Sequence, residues 1–286
     1  MKLLFFYQKI KYFINPAYLL VYLTFFIRIF SLLDFTDEMQ YYLQINELNK
    51  YGSLFHSDLY IQQLIYAIFY PFNKIYFTLN GSNGLILFNR ILLTIIFLFL
   101  MFYAKKIFLR NGSSSIWANW TSALLGLMPS IATYAISYNT ICFVGISLFL
   151  LILSKDWNQR DLLAISFITL ITLIANPTIG ICILLISLLR FIKENNKSFL
   201  FKYLLIFSFL FFIFLLYLNQ ISNYETIKMS LDFSKGFGVG ENWRFQYFFW
   251  PVILIYIFFS YRLLITRRFN NLNLYSTFKV ISYLAI

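Results

Sequence analysis

The sequence is poor in charge. Only 12% of its 286 residues are Asp, Glu, Lys or Arg, whereas 60% are apolar. Soluble globular proteins carry about twice that share of charged residues. A chain of this composition cannot hide its apolar surface within one water-soluble core, so we expect lipid to be its solvent.

Cysteine and histidine are also scarce. Cys142 and Cys182 are the only two cysteines, and both lie inside apolar runs without a partner nearby in the sequence. This pattern excludes a disulfide framework and a cysteine-based metal site. The single histidine, His56, lies two residues before Asp58, and it is either an ordinary loop residue or a substrate ligand.

Apolar runs long enough to cross a bilayer are abundant. They fall at about 17–33, 85–104, 116–134, 140–153, 162–175, 178–192, 203–218 and 248–265. The pattern predicts an all-α, multi-pass membrane protein with about eight spans, which form a single transmembrane domain over residues 1–286. A last apolar stretch, 280–286, begins like a further span and then stops, which raises the expectation of a truncated C-terminus.

The basic residues give the predicted orientation. The net charge is +12, but the basic residues form short clusters between apolar runs and no single solvated face, which argues against a nucleic-acid partner. If the segment 59–79 lies along the membrane surface as an interfacial or re-entrant helix, the positive-inside rule places the N-terminus and most basic clusters in the cytoplasm. Those clusters fall at 105–110, 155–160, 190–202 and 262–279. The predicted location is the plasma (inner) membrane.

Most acidic residues fall in two regions that this topology places outside, about 34–84 and 220–247. Orientation rules give acidic residues little weight, so their bias needs another cause, and a site on the outer face is one. We expect the first region to carry interfacial helices and the second to be a flexible loop that brings Arg244 to a ligand.

The adjacent acids Asp37 and Glu38 follow the first span closely. Charge so close to hydrocarbon usually has a function. The alternative is structural, because both carboxylates favour the N-terminus of a helix, with Lys50 and Gly52 marking its far end. On such a helix Asp37 and Tyr41 share a face and can address one ligand.

Three features of the sequence belong together: the motif Asp37-Glu38-x-x-Tyr41, the polar positions at 56–58, and the pair Asn89-Arg90 at the start of the second long span. In this order they resemble the GT-C class of membrane glycosyltransferases. The closest pattern is the protein mannosyltransferase and lipid A aminoarabinose transferase group. The resemblance covers about the first 160 residues. This chain departs from that pattern near Asn139, where related enzymes commonly place a second acid, and after His56, where they carry prolines.

The resemblance implies transfer of a sugar from a polyprenyl-phosphate carrier to a lipid, glycan or protein acceptor at the outer face, in the assembly of cell envelope glycans. In this interpretation Asp37 is the general base and Glu38 orients the acceptor. A divalent cation held by both acids is optional, because oxygen-ligated sites need more donors. The implied substrate-binding residues are Tyr41, His56, Asp58, Arg90, Asn139 and Arg244, with the arginines facing the lipid phosphate.

Other functions fit the same composition. A polysaccharide polymerase or a lipid-linked sugar flippase is equally rich in apolar and aromatic residues, and a flippase predicts ionisable residues deep within its spans. A non-enzymatic membrane scaffold predicts that the acids at 37 and 38 are dispensable. We expect most Phe and Tyr side chains to face lipid or the membrane interface.

Overall fold

A computed structural model describes the backbone of residues 15–30, 37–55, 63–127, 134–155 and 157–240, and the structural statements below refer to these ranges. Within them the chain forms helices and no strand, which confirms the predicted all-α class. The helices are α1 (Pro16–Phe30), α2 (Asp37–Tyr51), α3 (Leu64–Asn80), α4 (Leu85–Arg110), α5 (Ser115–Leu127), α6 (Tyr138–Leu153), α7 (Gln159–Ala175), α8 (Pro177–Lys193), α9 (Lys197–Ile221) and α10 (Tyr224–Gly240).

Local sequence signals determine where these helices begin. The Asn158 side chain accepts hydrogen bonds from the N–H groups of Arg160 and Asp161 at the start of α7, and the Asp161 carboxylate accepts from the Asn158 N–H. Asn176 caps α8 by accepting from the Ile179 N–H. The first residue of α8 is a proline, which suits a position whose N–H has no helical partner. The break between α7 and α8 therefore follows from two adjacent residues.

The predicted spans that lie within the described residues each contain an apolar helix, namely α1 and α4 to α9. Two of them, α4 and α9, are long and apolar enough to cross a membrane, and α1, α6 and α8 are shorter apolar helices. These helices indicate membrane association. The last predicted span, 248–265, lies outside the described residues.

Helix α9 shows how this fold differs from a soluble one. Only 6% of its most apolar stretch is buried, and Phe201, Phe209 and Phe212 are exposed along it. An apolar helix at the core of a soluble protein is covered on all sides. The exposed surface of α9 is the kind that hydrocarbon covers.

Helix α7 packs closely against both of its neighbours in sequence. A Cβ atom added to Gly145 of α6 would meet the side chain of Thr172 on α7, and one added to Gly180 of α8 would meet the backbone of Leu173. Small residues allow helices in a membrane to approach this closely. Glycine is therefore required at both positions for α6, α7 and α8 to form one tightly packed layer.

The two regions predicted to lie outside the membrane are largely helical. The first carries α2 and α3, and α3 confirms that the segment 59–79 contains a helix. In the second region we expected a loop, and over Tyr224–Gly240 this was wrong because the backbone there is the helix α10. Asn223 caps α10 by accepting from the Thr226 N–H. A glycine inside a helix costs only about 1 kcal/mol relative to alanine, so glycines in the sequence do not by themselves exclude a helix.

Candidate functional site

Helix α2 begins at Asp37, so the adjacent acids lie in its first turn. Their side chains are outside the described part of the structure, but an N-terminal turn is where the helix dipole favours negative charge. The helix ends at Tyr51 and is followed by Gly52 at a φ of 70°. The predicted helix, with acids at one end and glycine at the other, is confirmed. The half-buried Tyr41 lies one turn after Asp37.

One face of α2 is buried against the rest of the protein. Tyr42, Ile45 and Leu48 form this buried face. Near the end of the helix, the ammonium group of Lys74 on α3 donates to the Asn49 carbonyl at 2.9 Å. A lysine at this position satisfies a carbonyl that has no helical donor. Helix α2 is thus held at its C-terminal end by α3.

His56 and Asp58 lie outside the described residues, but the base of their segment is described. The N–H of Phe55 donates to the side-chain oxygen of Gln63 at 3.3 Å, which ties the two ends of the segment together. The N–H of Leu54 donates to the Ile221 carbonyl, at the end of α9, at 2.8 Å. The structure therefore joins the two predicted outer regions at Leu54, two residues before His56 in the sequence. Phe55 has a φ of 60°, a conformation that is unusual for a bulky residue.

Arg90 lies in α4 and is only 3% exposed. Its guanidinium Nη1 donates to the carbonyl of Ile29, in the last turn of α1, at 3.0 Å. The last carbonyls of a helix have no helical donors, so this contact satisfies the end of α1. Arg90 thus holds the helix end from which the chain leads to Asp37. Its contact with a lipid phosphate stays a prediction.

Tyr134 is a buried residue that the sequence patterns did not single out. Its phenol is hydrogen-bonded to the Thr94 hydroxyl, and its ring packs against Phe25 and Phe97 at centroid distances of 6.2 and 6.1 Å. Its carbonyl accepts a hydrogen bond from the Tyr42 phenol of α2 at 3.3 Å. A hydroxyl within an apolar run was the one available signal, because such a group must find a partner.

Asn89, the neighbour of Arg90 in the resembled motif, is fully buried. Its amide nitrogen donates to the Asn73 side-chain oxygen on α3 at 2.8 Å and to the Leu85 carbonyl at 2.9 Å. Its side-chain oxygen has no hydrogen-bond partner within the described structure, and the same holds for Asn46 and Asn49. Buried acceptors of this kind are where ordered water binds. The contact area of α2, α3 and α4 is therefore polar inside.

Asn139 is exposed in the first turn of α6. Its neighbour Tyr138 lines a cleft of about 160 Å³ together with Leu64, Asn176 and Pro177. These residues belong to the starts of α3, α6 and α8, where unsatisfied N–H groups and the helix dipole favour a negative ligand. The cleft is lined mainly by apolar side chains. Asn139 therefore lies beside the cleft, and its contact with substrate stays a prediction.

Arg244 lies outside the described residues. Among the side chains that the structure describes, no three His, Cys, Asp or Glu residues lie together as a metal site would need. No protein-family model matches the chain, and neither the curated proteins nor the solved structures yield a match. The resemblance to the GT-C class therefore rests on the residues themselves.

Proposed function

We propose that this chain is a multi-pass membrane glycosyltransferase that transfers a sugar from a polyprenyl-phosphate carrier to an acceptor at the outer face of the membrane. The observation that carries the proposal is the placement of Asp37 and Glu38 in the first turn of α2, a polar helix that follows the apolar helix α1 directly. Carboxylates at a membrane boundary are unfavourable unless they have a function or a partner.

The contacts between helix ends support the order of crossings in the proposed topology over the described residues, whereas its cytoplasmic N-terminus rests on the basic clusters alone. Three hydrogen bonds join ends that this topology places inside: Tyr18 to Asn119, Asn111 to Ser154, and Arg190 to Leu153. Three others join groups that it places outside or near the outer surface: Tyr42 to Tyr134, Leu54 to Ile221, and Tyr217 to Ala67. Two groups that are separated by an odd number of predicted spans would lie on opposite sides of the membrane. Each of these six pairs is separated by an even number of predicted spans, as the topology requires.

The distribution of buried charge favours a transferase over a flippase. Arg90 and Lys105 are both 3% exposed, and they lie towards the two ends of α4 and not at its centre. Each has a nearby partner, the Ile29 carbonyl for Arg90 and the Tyr18 ring for Lys105. A flippase needs ionisable groups near the middle of the membrane, along the path of its substrate.

In the proposed reaction Asp37 accepts the proton of the acceptor hydroxyl, and the acceptor oxygen attacks the anomeric carbon of the sugar. The bond from that carbon to the phosphate oxygen breaks, and the polyprenyl phosphate leaves with the electron pair. Glu38 orients the acceptor. Arg244, with Arg90 where it reaches the phosphate, stabilises the negative charge that develops on the leaving group.

The test is transfer from undecaprenyl-phosphate sugars, radiolabelled in the sugar, by membranes that contain the protein. We expect Asp37→Asn to lower the rate at least a hundredfold, because general-base catalysis contributes about that much or more, and Glu38→Gln to lower it less. Glu225→Gln is the matched control, because Glu225 is an exposed acid in the first turn of the other outer helix, α10. Full activity in both α2 variants would remove the proposed base.

A further inference from the structure

Thr94 lies at the centre of a chain of hydrogen bonds. Its hydroxyl donates to the Arg90 carbonyl one turn earlier in α4, at 2.7 Å, and it is also hydrogen-bonded to the Tyr134 phenol. A hydroxyl has one proton and two lone pairs. Because the Thr94 proton is directed at Arg90, the phenol of Tyr134 must be the donor in the second bond. Thr94 is thus donor and acceptor at once.

This chain of hydrogen bonds reaches both flanks of the acidic segment. On one side, the Arg90 guanidinium donates to the Ile29 carbonyl, at the end of α1. On the other side, the Tyr134 carbonyl accepts from the Tyr42 phenol on α2. Residues 31–41, which include Asp37 and Glu38, lie between these two attachment points in the sequence. One turn of α4, from Arg90 to Thr94, is therefore connected to the end of α1 before the acids and to Tyr42 of α2 after them.

We infer that Arg90, Thr94, Tyr134 and Tyr42 form a clamp that positions the acidic segment for catalysis, with Thr94 as its central positioning residue. This inference rests on the proposed function. A catalytic base must be held within a fraction of an ångström of its working position, and a displacement of about 1 Å can cost a hundredfold in rate. The clamp holds the end of α1 and the second turn of α2, the described elements on either side of the acids, and its central residue Thr94 has no part in the proposed reaction itself.

The chain contains a second copy of the same arrangement away from the acidic segment. The Thr169 hydroxyl of α7 donates to the Ile165 carbonyl at 2.7 Å and is hydrogen-bonded to the Tyr203 phenol of α9 at 3.1 Å. Both Thr169 and Tyr203 are fully buried. Thr169→Val therefore makes the same chemical change as Thr94→Val in the same kind of buried environment. The hydrogen bonds of Thr169 lead to α7 and α9 and not to α2. Thr169→Val is the matched control.

The experiment compares Thr94→Val, Thr94→Ser and Thr169→Val with the unmodified protein, each purified in detergent and reconstituted into vesicles. Two measurements are made. The first is amide hydrogen exchange of the backbone over 37–45. The second is the rate of transfer from radiolabelled undecaprenyl-phosphate sugars as a function of their concentration. A Tyr42→Phe variant, which keeps the ring and removes only the phenol that contacts Tyr134, tests the other end of the clamp.

We expect Thr94→Val and Tyr42→Phe to speed exchange over 37–45 about tenfold or more, and to lower kcat by a similar factor with little change in KM. Thr94→Ser, which keeps the hydroxyl, and Thr169→Val should resemble the unmodified protein in both measurements. Unchanged exchange in Thr94→Val, or equal losses in Thr94→Val and Thr169→Val, would overturn the clamp. If the unmodified protein transfers no sugar, the proposed function fails, and the exchange measurement still decides whether Thr94 holds α2.

Discussion

Removing the Arg190 side chain should weaken the end of the helix bundle at which α6 and α8 end. Arg190 of α8 is 7% exposed, and its guanidinium donates to the carbonyls of Leu153 at 2.9 Å and Lys155 at 3.1 Å. These carbonyls lie at and just beyond the end of α6, where helical donors are lacking. The guanidinium also stacks over the Trp157 ring at 4.2 Å. Arg190 therefore joins α6, α8 and the connection to α7.

The expected loss can be built from these contacts. Leaving a buried carbonyl without a donor costs about 1–3 kcal/mol, and the stacking over Trp157 contributes about 1 kcal/mol. The further bond to Glu194 adds little, because that carboxylate is 45% exposed and exposed ion pairs are weak. Arg190→Ala should therefore destabilise the protein by about 3 kcal/mol. For a chain of this size the melting temperature should fall by about 6–12 °C.

The protein carries its own reporter for this measurement. Cys142 and Cys182 are 5% and 7% exposed, so a dye that fluoresces on reaction with thiols reports unfolding in detergent. The control is Arg160→Ala, which removes an exposed arginine near the same end of the bundle. Arg190→Lys keeps the charge but cannot reach both carbonyls, so it should melt nearer to Arg190→Ala than to the unmodified protein.

Two results would refute this reasoning. If Arg190→Ala melts within about 2 °C of Arg160→Ala, which is less than 1 kcal/mol for a chain of this size, the buried hydrogen bonds contribute little. If Arg190→Lys melts with the unmodified protein, the positive charge matters and the fork geometry does not.

Two further predictions concern packing and topology. Gly180→Ala should lower the melting temperature by several degrees, at a cost of about 2 kcal/mol, because its new methyl group would lie less than 3.0 Å from the Leu173 Cα. Gly126→Ala should be milder, because its nearest contact is the Met101 side chain at 3.3 Å. Equal effects would contradict the tight contact of α7 and α8. Ser82→Cys, before α4, should react with a membrane-impermeant maleimide in intact cells, and Ser115→Cys, after α4, only after permeabilisation; the reverse order would invert the proposed orientation.

The sequence predicts the helices well because each has a local cause. Apolar runs of sufficient length locate α4 and α9, which meet the length and composition needed to cross a membrane. Pro16 opens α1, and the Asn176-Pro177 pair separates α7 from α8. The acidic start and glycine end of α2 follow from its dipole and its terminal turn. The prediction fails at α10, where glycines in the sequence favour a loop and the backbone is helical.

The contacts between elements could not be predicted in the same way. Arg90 is noticeable in the sequence as a charge next to an apolar run, but its partner is a backbone carbonyl of α1, distant in sequence. The C-terminal end of any other helix would have offered such a carbonyl. The pairing of Leu54 with Ile221 is likewise a contact between backbone groups, and backbone groups leave no trace in residue types.

Two buried tyrosines, Tyr134 and Tyr203, share one hydrogen-bonding pattern with a threonine. A threonine hydroxyl in a membrane helix usually donates to the carbonyl one turn earlier, and this uses its only proton. Its lone pairs then face an environment without water, so only a donor from a neighbouring element can satisfy them. Tyrosine is suited to this role, because its ring packs as an apolar group while its phenol reaches the hydroxyl. The pairs Thr94 with Tyr134 and Thr169 with Tyr203 both follow this pattern. Thr172 of α7 is also buried and donates to the Ile168 carbonyl, but it has no tyrosine partner within the described structure, so the pairing is a property of two sites and no general rule. At those two sites Tyr134 and Tyr203 are tethers between elements instead of the lipid-facing residues that the abundance of tyrosine suggested.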